Sequence, residues 1–291
     1  MAAVSPPAVT RRRWLAGIVC ALGIAATIQA DARRIVSIIP ATTEMLFAMG
    51  AGDRLVAVGS YDRFPPEVER LPRVGALLDP DVERIISLRP DLVVLYETQS
   101  ELRTQLERAR IPYFAYAHKG LSDITETMRR LGARVGVDAQ ASALASSIER
   151  RLADIRAKIA GRPRPKTLLV FGRERGSLRN IDASGGDGFL HDMLEAAGGD
   201  DVLRDVHRQS VMMTTEMVLA RAPEVIVELR YAHDDRDASD AAAWNALPSV
   251  PAVRAHRVIE LSGPELVVPG PRVGEATERL SRALHPEVWG R

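Results

Sequence analysis

The sequence contains little of three features that narrow a protein's function: cysteine, excess charge and long apolar runs. Its 291 residues contain one cysteine, Cys20, which excludes a disulfide framework and a metal site built on thiolates. The 39 basic residues are balanced by 38 acidic ones, so the net charge of +1 gives no indication of nucleic acid or an anionic membrane surface as a partner. With 46% hydrophobic and 26% charged residues, the composition is typical of a globular chain with a sizeable core.

Sequence motifs of catalysis and of bare metal binding are also missing. The chain has no G-x-S-x-G nucleophile elbow and no H-E-x-x-H pair, and its six histidines are scattered. We therefore predict that the protein is not an enzyme and has no resident cofactor. An enzyme acting on a tetrapyrrole, of the chelatase type, stays open as an alternative.

One apolar run near the beginning has the pattern of an export signal. Three arginines at 11–13 precede an apolar run over 14–28, and an Ala-Asp-Ala cleavage site follows at 30–32. The run is shorter than the roughly 20 residues that span a bilayer. We expect residues 1–32 to be removed, leaving a mature chain without cysteine. The arginines resemble a twin-arginine signal, so this route and the general secretory route are both open.

The rest of the chain repeats one pattern. Apolar helical stretches that end in a Gly-Asp turn cover 46–53 and 193–200, and each follows a short β-rich run. Further on, Glu83 and Glu216 each open a short helix that a proline stops seven residues later. A continuous apolar run then begins, as is typical of a parallel strand buried on both faces. The repeat predicts two similar α/β lobes with mostly parallel sheets.

A long uninterrupted helix is predicted between the two halves. Residues 138–160 have no Gly or Pro and place apolar side chains at helical spacing, over about 35 Å. We therefore predict an N-terminal lobe at 33–137, a rigid connecting helix at 138–161 and a C-terminal lobe at 162–291. Two lobes joined by one rigid helix leave a single cleft between them, a favoured place for a small ligand.

Several motifs resemble one protein family. Residues 34–44, the Tyr-Asp-Arg-Phe-Pro-Pro stretch at 61–66 and the run at 81–93 are similar to the periplasmic binding proteins for cobalamin and iron chelates, and to the corrinoid binders most closely. The resemblance covers nearly the whole mature chain. It implies a periplasmic, monomeric protein that delivers cargo to the permease dimer of an ABC importer, with Glu83 and Glu216 docking on that permease.

The resemblance also suggests which residues line the cleft of the N-terminal lobe. Tyr61 matches a cleft tyrosine that touches cargo. The two tryptophans that line the corrinoid cleft in the family are replaced here near Leu77 and near Ser210, which removes much of the expected stacking area.

Loops after the strands of the C-terminal lobe should supply the other wall. Arg173, Arg175 and Arg179 follow one strand, and arginines there could hold carboxylates or phosphates. His207 could serve as an axial ligand of haem iron. The sequence thus predicts binding of a bulky metal chelate, a corrinoid first, with haem or a ferric siderophore as the alternative cargo.

Overall fold

The computed structural model describes residues 1–2, 31–117, 119–231 and 240–290. The predicted export signal lies almost entirely outside the described residues. Within the part of the chain that is described, no helix combines the length and the apolar character needed to cross a bilayer.

The N-terminal lobe alternates strands and helices around a four-stranded sheet. Every pair in this sheet is parallel, in the order β2-β1-β3-β4. The first four residues of β3 are fully buried, which explains their continuous apolar sequence. The elements are β1 (Ile35–Ser37), α1 (Pro40–Ala48), β2 (Leu55–Val58), α2 (Val82–Ser87), β3 (Leu92–Tyr96), α3 (Ser100–Arg108), β4 (Tyr113–Tyr116) and α4 (Leu121–Val135).

A single helix, α5 (Asp138–Lys158), runs from this lobe to the next. Its predicted apolar stripe is the buried face. The helix packs against α4 of the first lobe and against two helices of the second, α6 (Phe189–Ala197) and α9 (Val273–Leu284). Gly136 ends α4 in the left-handed conformation, at φ 69°, which lets the chain reverse directly into α5.

The C-terminal lobe contains a mixed sheet in the order β10-β9-β5-β6-β8, with β7 beside β5. Strands β10, β9, β7 and β5 are parallel, whereas β6 and β8 run antiparallel to their neighbours. The elements are β5 (Lys166–Gly172), β6 (Ile181–Ser184), α6 (Phe189–Ala197), β7 (Asp200–Asp201), β8 (Ser210–Met213), α7 (Thr215–Arg221), β9 (Val225–Arg230), α8 (Pro251–Arg254), β10 (Val258–Ser262), α9 (Val273–Leu284) and α10 (Pro286–Trp289).

The predicted architecture of two α/β lobes and one connecting helix is confirmed, and the antiparallel strands are a detail that the repeat did not indicate. The connection from β5 to β6 spans only residues 173–180. A parallel pair needs a crossover of a dozen or more residues, so a connection this short requires an antiparallel pair. The arginine loop is therefore the turn of a hairpin.

Candidate functional site

Residues near the carboxyl ends of strands in the two lobes contact each other at the place where the predicted cleft would begin. Arg272, which lies between β10 and α9, donates hydrogen bonds of 2.8 and 3.0 Å to both carboxylate oxygens of Glu44 on α1. The guanidinium of Arg272 also lies 3.9 Å from the centre of the Phe64 ring, in the loop after β2. These contacts join α1 and the loop after β2 to the loop after β10, and we call this contact region the cleft floor.

This floor is a buried network of alternating charges. Glu44 is only 4% exposed, and Glu265 is 8% exposed. Glu265 pairs with Arg272 at 3.3 Å and with Arg279. Burial raises the pKa of Glu44, and the hydrogen bonds from Arg272 oppose that rise. The network holds the two lobes together at the cleft.

Asp62 lies in the loop after β2 and is fully buried. Among the described residues, neither of its carboxylate oxygens has a hydrogen-bond partner. The nearby Thr43 hydroxyl instead donates to Ser37, and a guanidinium nitrogen of Arg73 donates to the backbone carbonyl of Asp62 at 2.7 Å. Burial raises the pKa of Asp62 to about 7, although the Thr43 hydroxyl, the positive charge of Arg73 and the backbone of Gly59 oppose the rise.

Three aromatic side chains are exposed in the loops that follow β2 and β9. Tyr61 is 70% exposed, Phe64 is 39% exposed and Tyr231, directly after β9, is 45% exposed. Burial raises the pKa of Tyr231, and the charges of Arg63, Glu44 and Arg272 are close enough to act on its hydroxyl. Tyr231 of the C-terminal lobe therefore lies near the Tyr61–Phe64 loop of the N-terminal lobe. These rings offer flat faces on which a ligand could stack.

A cavity of about 260 Å³ opens at the carboxyl ends of β5 and β9. Its lining includes Phe171, Arg173, Arg175 and Tyr231. Ligand pockets commonly measure roughly 300–1,000 Å³. This cavity can therefore accept only an edge of a bulky chelate, and the rest of the guest would lie over the cleft floor.

Arg173 performs a structural task in the wall of that cavity. Its side chain is 6% exposed and is paired with Glu228 at 2.5 Å and with Asp240 at 2.8 Å. Glu228 also accepts a hydrogen bond of 2.9 Å from the indole of the buried Trp244. Because two carboxylates already neutralise Arg173, its charge is not available to an anionic cargo in this arrangement.

The other two arginines of the loop are placed differently. Arg175 lines the cavity. The side chain of Arg179 is 75% exposed and pairs with Glu174 at 2.8 Å. The structure thus separates three arginines that the sequence grouped together: one supports the fold, one faces the cavity and one lies on the surface.

A second cavity, of about 240 Å³, adjoins the first because Phe171 lines both. Ser210 and Asp187 are among its lining residues. His207 lies next to it, with Nδ1 3.6 Å from a carboxylate oxygen of Asp187 and a side chain that is 82% exposed. Ser210 and His207 therefore lie at or beside this second cavity of the C-terminal lobe.

Leu77 is 41% exposed, in the loop between β2 and α2. Its backbone carbonyl accepts a hydrogen bond of 2.9 Å from the side chain of Gln99, which ties this loop to the end of β3. An aliphatic side chain at this position offers contact area without a stacking face.

The histidines of the described chain do not cluster. Within residues 31–117, 119–231 and 240–290, no group of three or more His, Cys, Asp or Glu is arranged to hold a metal ion. His191 is paired with Asp201 at 2.7 Å, and the buried His285 contacts the carbonyl of Gly198. His118 and His233 lie outside the described residues.

Glu83 and Glu216 are exposed in the first turns of α2 and α7. Hydrogen bonds from its own backbone N–H and from the Thr214 hydroxyl lower the pKa of Glu216. One exposed carboxylate is therefore presented by each lobe, on equivalent helices.

Sequence reasoning missed the central contact of the site. Glu44 and Arg272 are 228 residues apart, and no local pattern marks them as partners. Phe64 stands inside the motif that carried the family resemblance, and an exposed aromatic in a loop after a strand could have been noted. Asp62 carries no sequence signal of its burial.

Comparisons with known proteins agree with the two-lobed fold. The ABC transporter substrate-binding lipoprotein YvrC of Bacillus subtilis is 29% identical over 271 residues, which are 90% of this chain and 83% of that protein. The vitamin B12-binding protein of Salmonella typhimurium is 29% identical over 255 residues, which are 87% of this chain and 90% of that protein.

A solved structure of a periplasmic heme-binding protein from Pseudomonas aeruginosa superposes with a TM-score of 0.75 at 27% identity, covering 88% of this chain and 93% of that one. The family model described as periplasmic binding protein matches residues 35–264, which include α5 and most of both lobes. The chain belongs to the periplasmic binding protein family.

Proposed function

We propose that this protein captures a bulky metal chelate in the periplasm, a corrinoid first, and delivers it to an ABC importer. The observation that carries the proposal is the cleft itself. Glu44 of the N-terminal lobe and Arg272 of the C-terminal lobe meet there, and nearby loops of both lobes expose aromatic rings. Apolar ring faces with a few placed polar groups suit a large flat macrocycle.

The corrinoid is proposed before haem because relatives that align over most of this chain are named vitamin B12-binding proteins. Tyr61, Phe64 and Tyr231 supply stacking faces in place of the tryptophans that are replaced near Leu77 and Ser210. Arg175 could hold the phosphate or the amide rim of the cargo.

Haem or a ferric siderophore is the alternative cargo. The exposed His207, beside the second cavity of the C-terminal lobe, is a suitable axial ligand, and Tyr61 is another. The structural likeness to a periplasmic heme-binding protein supports haem as the alternative cargo.

The partner would be a permease dimer. Because Glu83 and Glu216 are exposed on equivalent helices of the two lobes, they suit a two-fold symmetric partner with one cationic pocket per subunit. The protein would act there as a monomer after removal of residues 1–32.

The proposal is tested by titrating the mature protein with cyanocobalamin, cobinamide, haemin and a ferric siderophore. We expect saturable binding of cyanocobalamin at one molecule per chain. Tyr61→Ala should weaken it by about 2- to 13-fold, since one stacking contact is worth roughly 0.5–1.5 kcal/mol.

A matched control is Tyr113→Ala, because Tyr113 begins β4 at the edge of the sheet away from the cleft. This variant should bind as the wild type does. A Soret band that His207→Ala shifts would establish haem as the cargo instead. If none of the four compounds binds saturably, the proposed function is wrong.

A further inference from the structure

Helices α2 and α7 are copies of one module. Each is capped two residues before its glutamate: the Asp81 carboxylate accepts a hydrogen bond of 3.0 Å from Arg84 N–H, and the Thr214 hydroxyl accepts one of 3.3 Å from Met217 N–H. Six residues after each glutamate, the backbone turns through a residue in the left-handed conformation, at φ 48° for Arg89 and φ 46° for Ala222. The backbone of the two helices is thus matched from cap to end.

The modules also match in an unexpected side chain. Three residues after each glutamate stands a large apolar residue that is exposed to solvent, Ile86 at 36% and Leu219 at 43%. Within the described helices, these are the two large hydrophobic side chains with such exposure. The preceding residues, Ile85 and Val218, are fully buried and anchor the helices to their lobes.

Spacing by three residues places each apolar side chain on the same helix face as its glutamate. A single exposed apolar residue on a protein surface is ordinary. The same residue class at the same position in both lobes, each beside an exposed carboxylate, calls for one explanation that covers both. On the N-terminal lobe, Ile86 also lines an open groove between α2 and α3, with Thr104 and Ala109 opposite.

We propose that Ile86 and Leu219 are apolar anchors that act with Glu83 and Glu216 when the protein docks on its permease. This inference rests on the proposed function. Each permease subunit would present a cationic pocket for the glutamate and, one helical turn away, an apolar patch for the anchor. The carboxylates govern orientation and the rate of association, and the anchors slow dissociation because they exclude water beside the ion pair.

The test measures ATP hydrolysis by the importer of the same organism, reconstituted in proteoliposomes, as a function of the concentration of the binding protein. Ile86→Ser combined with Leu219→Ser should raise the concentration for half-maximal stimulation about 10-fold. Cyanocobalamin affinity, or haemin affinity if haem is the cargo, should not change. The melting temperature should fall by a few degrees at most, because both side chains are already partly exposed. The matched control, Ile86→Val with Leu219→Met, keeps the apolar surface and should stay within about 2-fold of the wild type.

The reference variant is Glu83→Ala with Glu216→Ala, which should abolish stimulation. If this variant is inactive while the serine pair behaves as the wild type, the anchors are disproved and the docking glutamates stand. If both variants stimulate normally, both assignments are wrong. High salt separates the two contacts further, because it weakens the ion pairs while the difference between wild type and serine pair persists.

Discussion

At the scale of a single residue, the buried carboxylate of Asp62 makes stability depend on pH. Its pKa in the folded protein is about 7, above its ordinary value of 3.8. The folded state therefore keeps a proton that the unfolded chain releases, and the free energy of unfolding falls as the pH rises from about 4 to 7. Asp62→Asn removes this titration. Relative to the wild type, the variant should gain stability across that range by a few kcal/mol and then level off, as measured by urea unfolding at each pH.

A carboxylate with the opposite shift provides the control. The hydrogen bonds from Arg129 lower the pKa of Glu149. Glu149→Gln should therefore lose stability relative to the wild type as the pH rises through the acid range. A flat difference between Asp62→Asn and the wild type from pH 4 to 8 would contradict the assignment of a buried Asp62 with a raised pKa.

Individual side chains were the hardest level to predict from the sequence. The pattern identified Arg173, Arg175 and Arg179 as a group because they follow one strand. It could not indicate that Glu228 and Asp240 enclose the first of them, since those carboxylates come from distant parts of the chain. Burial and pairing depend on tertiary contacts, which residue spacing does not encode.

At the scale of an element, the approach of α4 to α5 depends on a glycine. A Cβ placed on Gly132 would lie 2.2 Å from the Cβ of Ala141, well inside van der Waals contact. Gly132→Ala should destabilise the protein by roughly 1–3 kcal/mol through overpacking, although alanine favours the helix by about 1 kcal/mol. Thermal unfolding followed by circular dichroism measures the change.

The compensating variant Gly132→Ala with Ala141→Gly exchanges the two side chains and should recover much of the loss. Ser142→Ala, at the exposed neighbouring position on α5, should leave the melting temperature nearly unchanged. If Gly132→Ala melts at or above the wild-type temperature, the helices do not pack as closely as described.

Elements were largely predictable because local rules determine them. The apolar runs predicted β3 and β9 and the absence of Gly and Pro predicted α5, which the structure has as Asp138–Lys158. Strands β6 and β8 were missed, since each has only four residues and lies among glycines and polar loops. Short edge strands form through pairing with their neighbours, and this pairing leaves a weak mark in the sequence.

At the scale of the whole molecule, the Arg272–Glu44 pair contributes to holding the lobes together. Arg272→Met leaves the buried Glu44 without its cationic partner. Such a loss lowers the free energy of unfolding by about 3–5 kcal/mol when the pair is shielded from water. We expect a value near the lower end, because the Arg272 side chain is 19% exposed. Unfolding in urea should show the loss. Adding Glu44→Gln to the variant should restore part of it.

The exposed pair Arg129–Glu149, with its two hydrogen bonds of 2.7 and 2.8 Å, is the matched control. Arg129→Met should cost less than about 1 kcal/mol, because water replaces the lost partner. Equal losses for the two methionine variants would contradict a buried pair between the lobes.

The two-lobed arrangement was predictable because the sequence carries its pattern twice. The distance between the lobes was not, since it depends on Glu44 meeting Arg272 across 228 positions of sequence. The repeat thus predicts the fold of each lobe, and the structure shows which residues bring the two lobes into contact.

Two separate connections, helix α5 and the Arg272–Glu44 salt bridge, restrict the movement of the two lobes relative to each other. Two lobes that are connected at two separate places cannot open widely about a single hinge. We therefore expect the cargo to enter and leave through movement of the surrounding loops. Release to the importer proposed above should require that the importer moves both lobes.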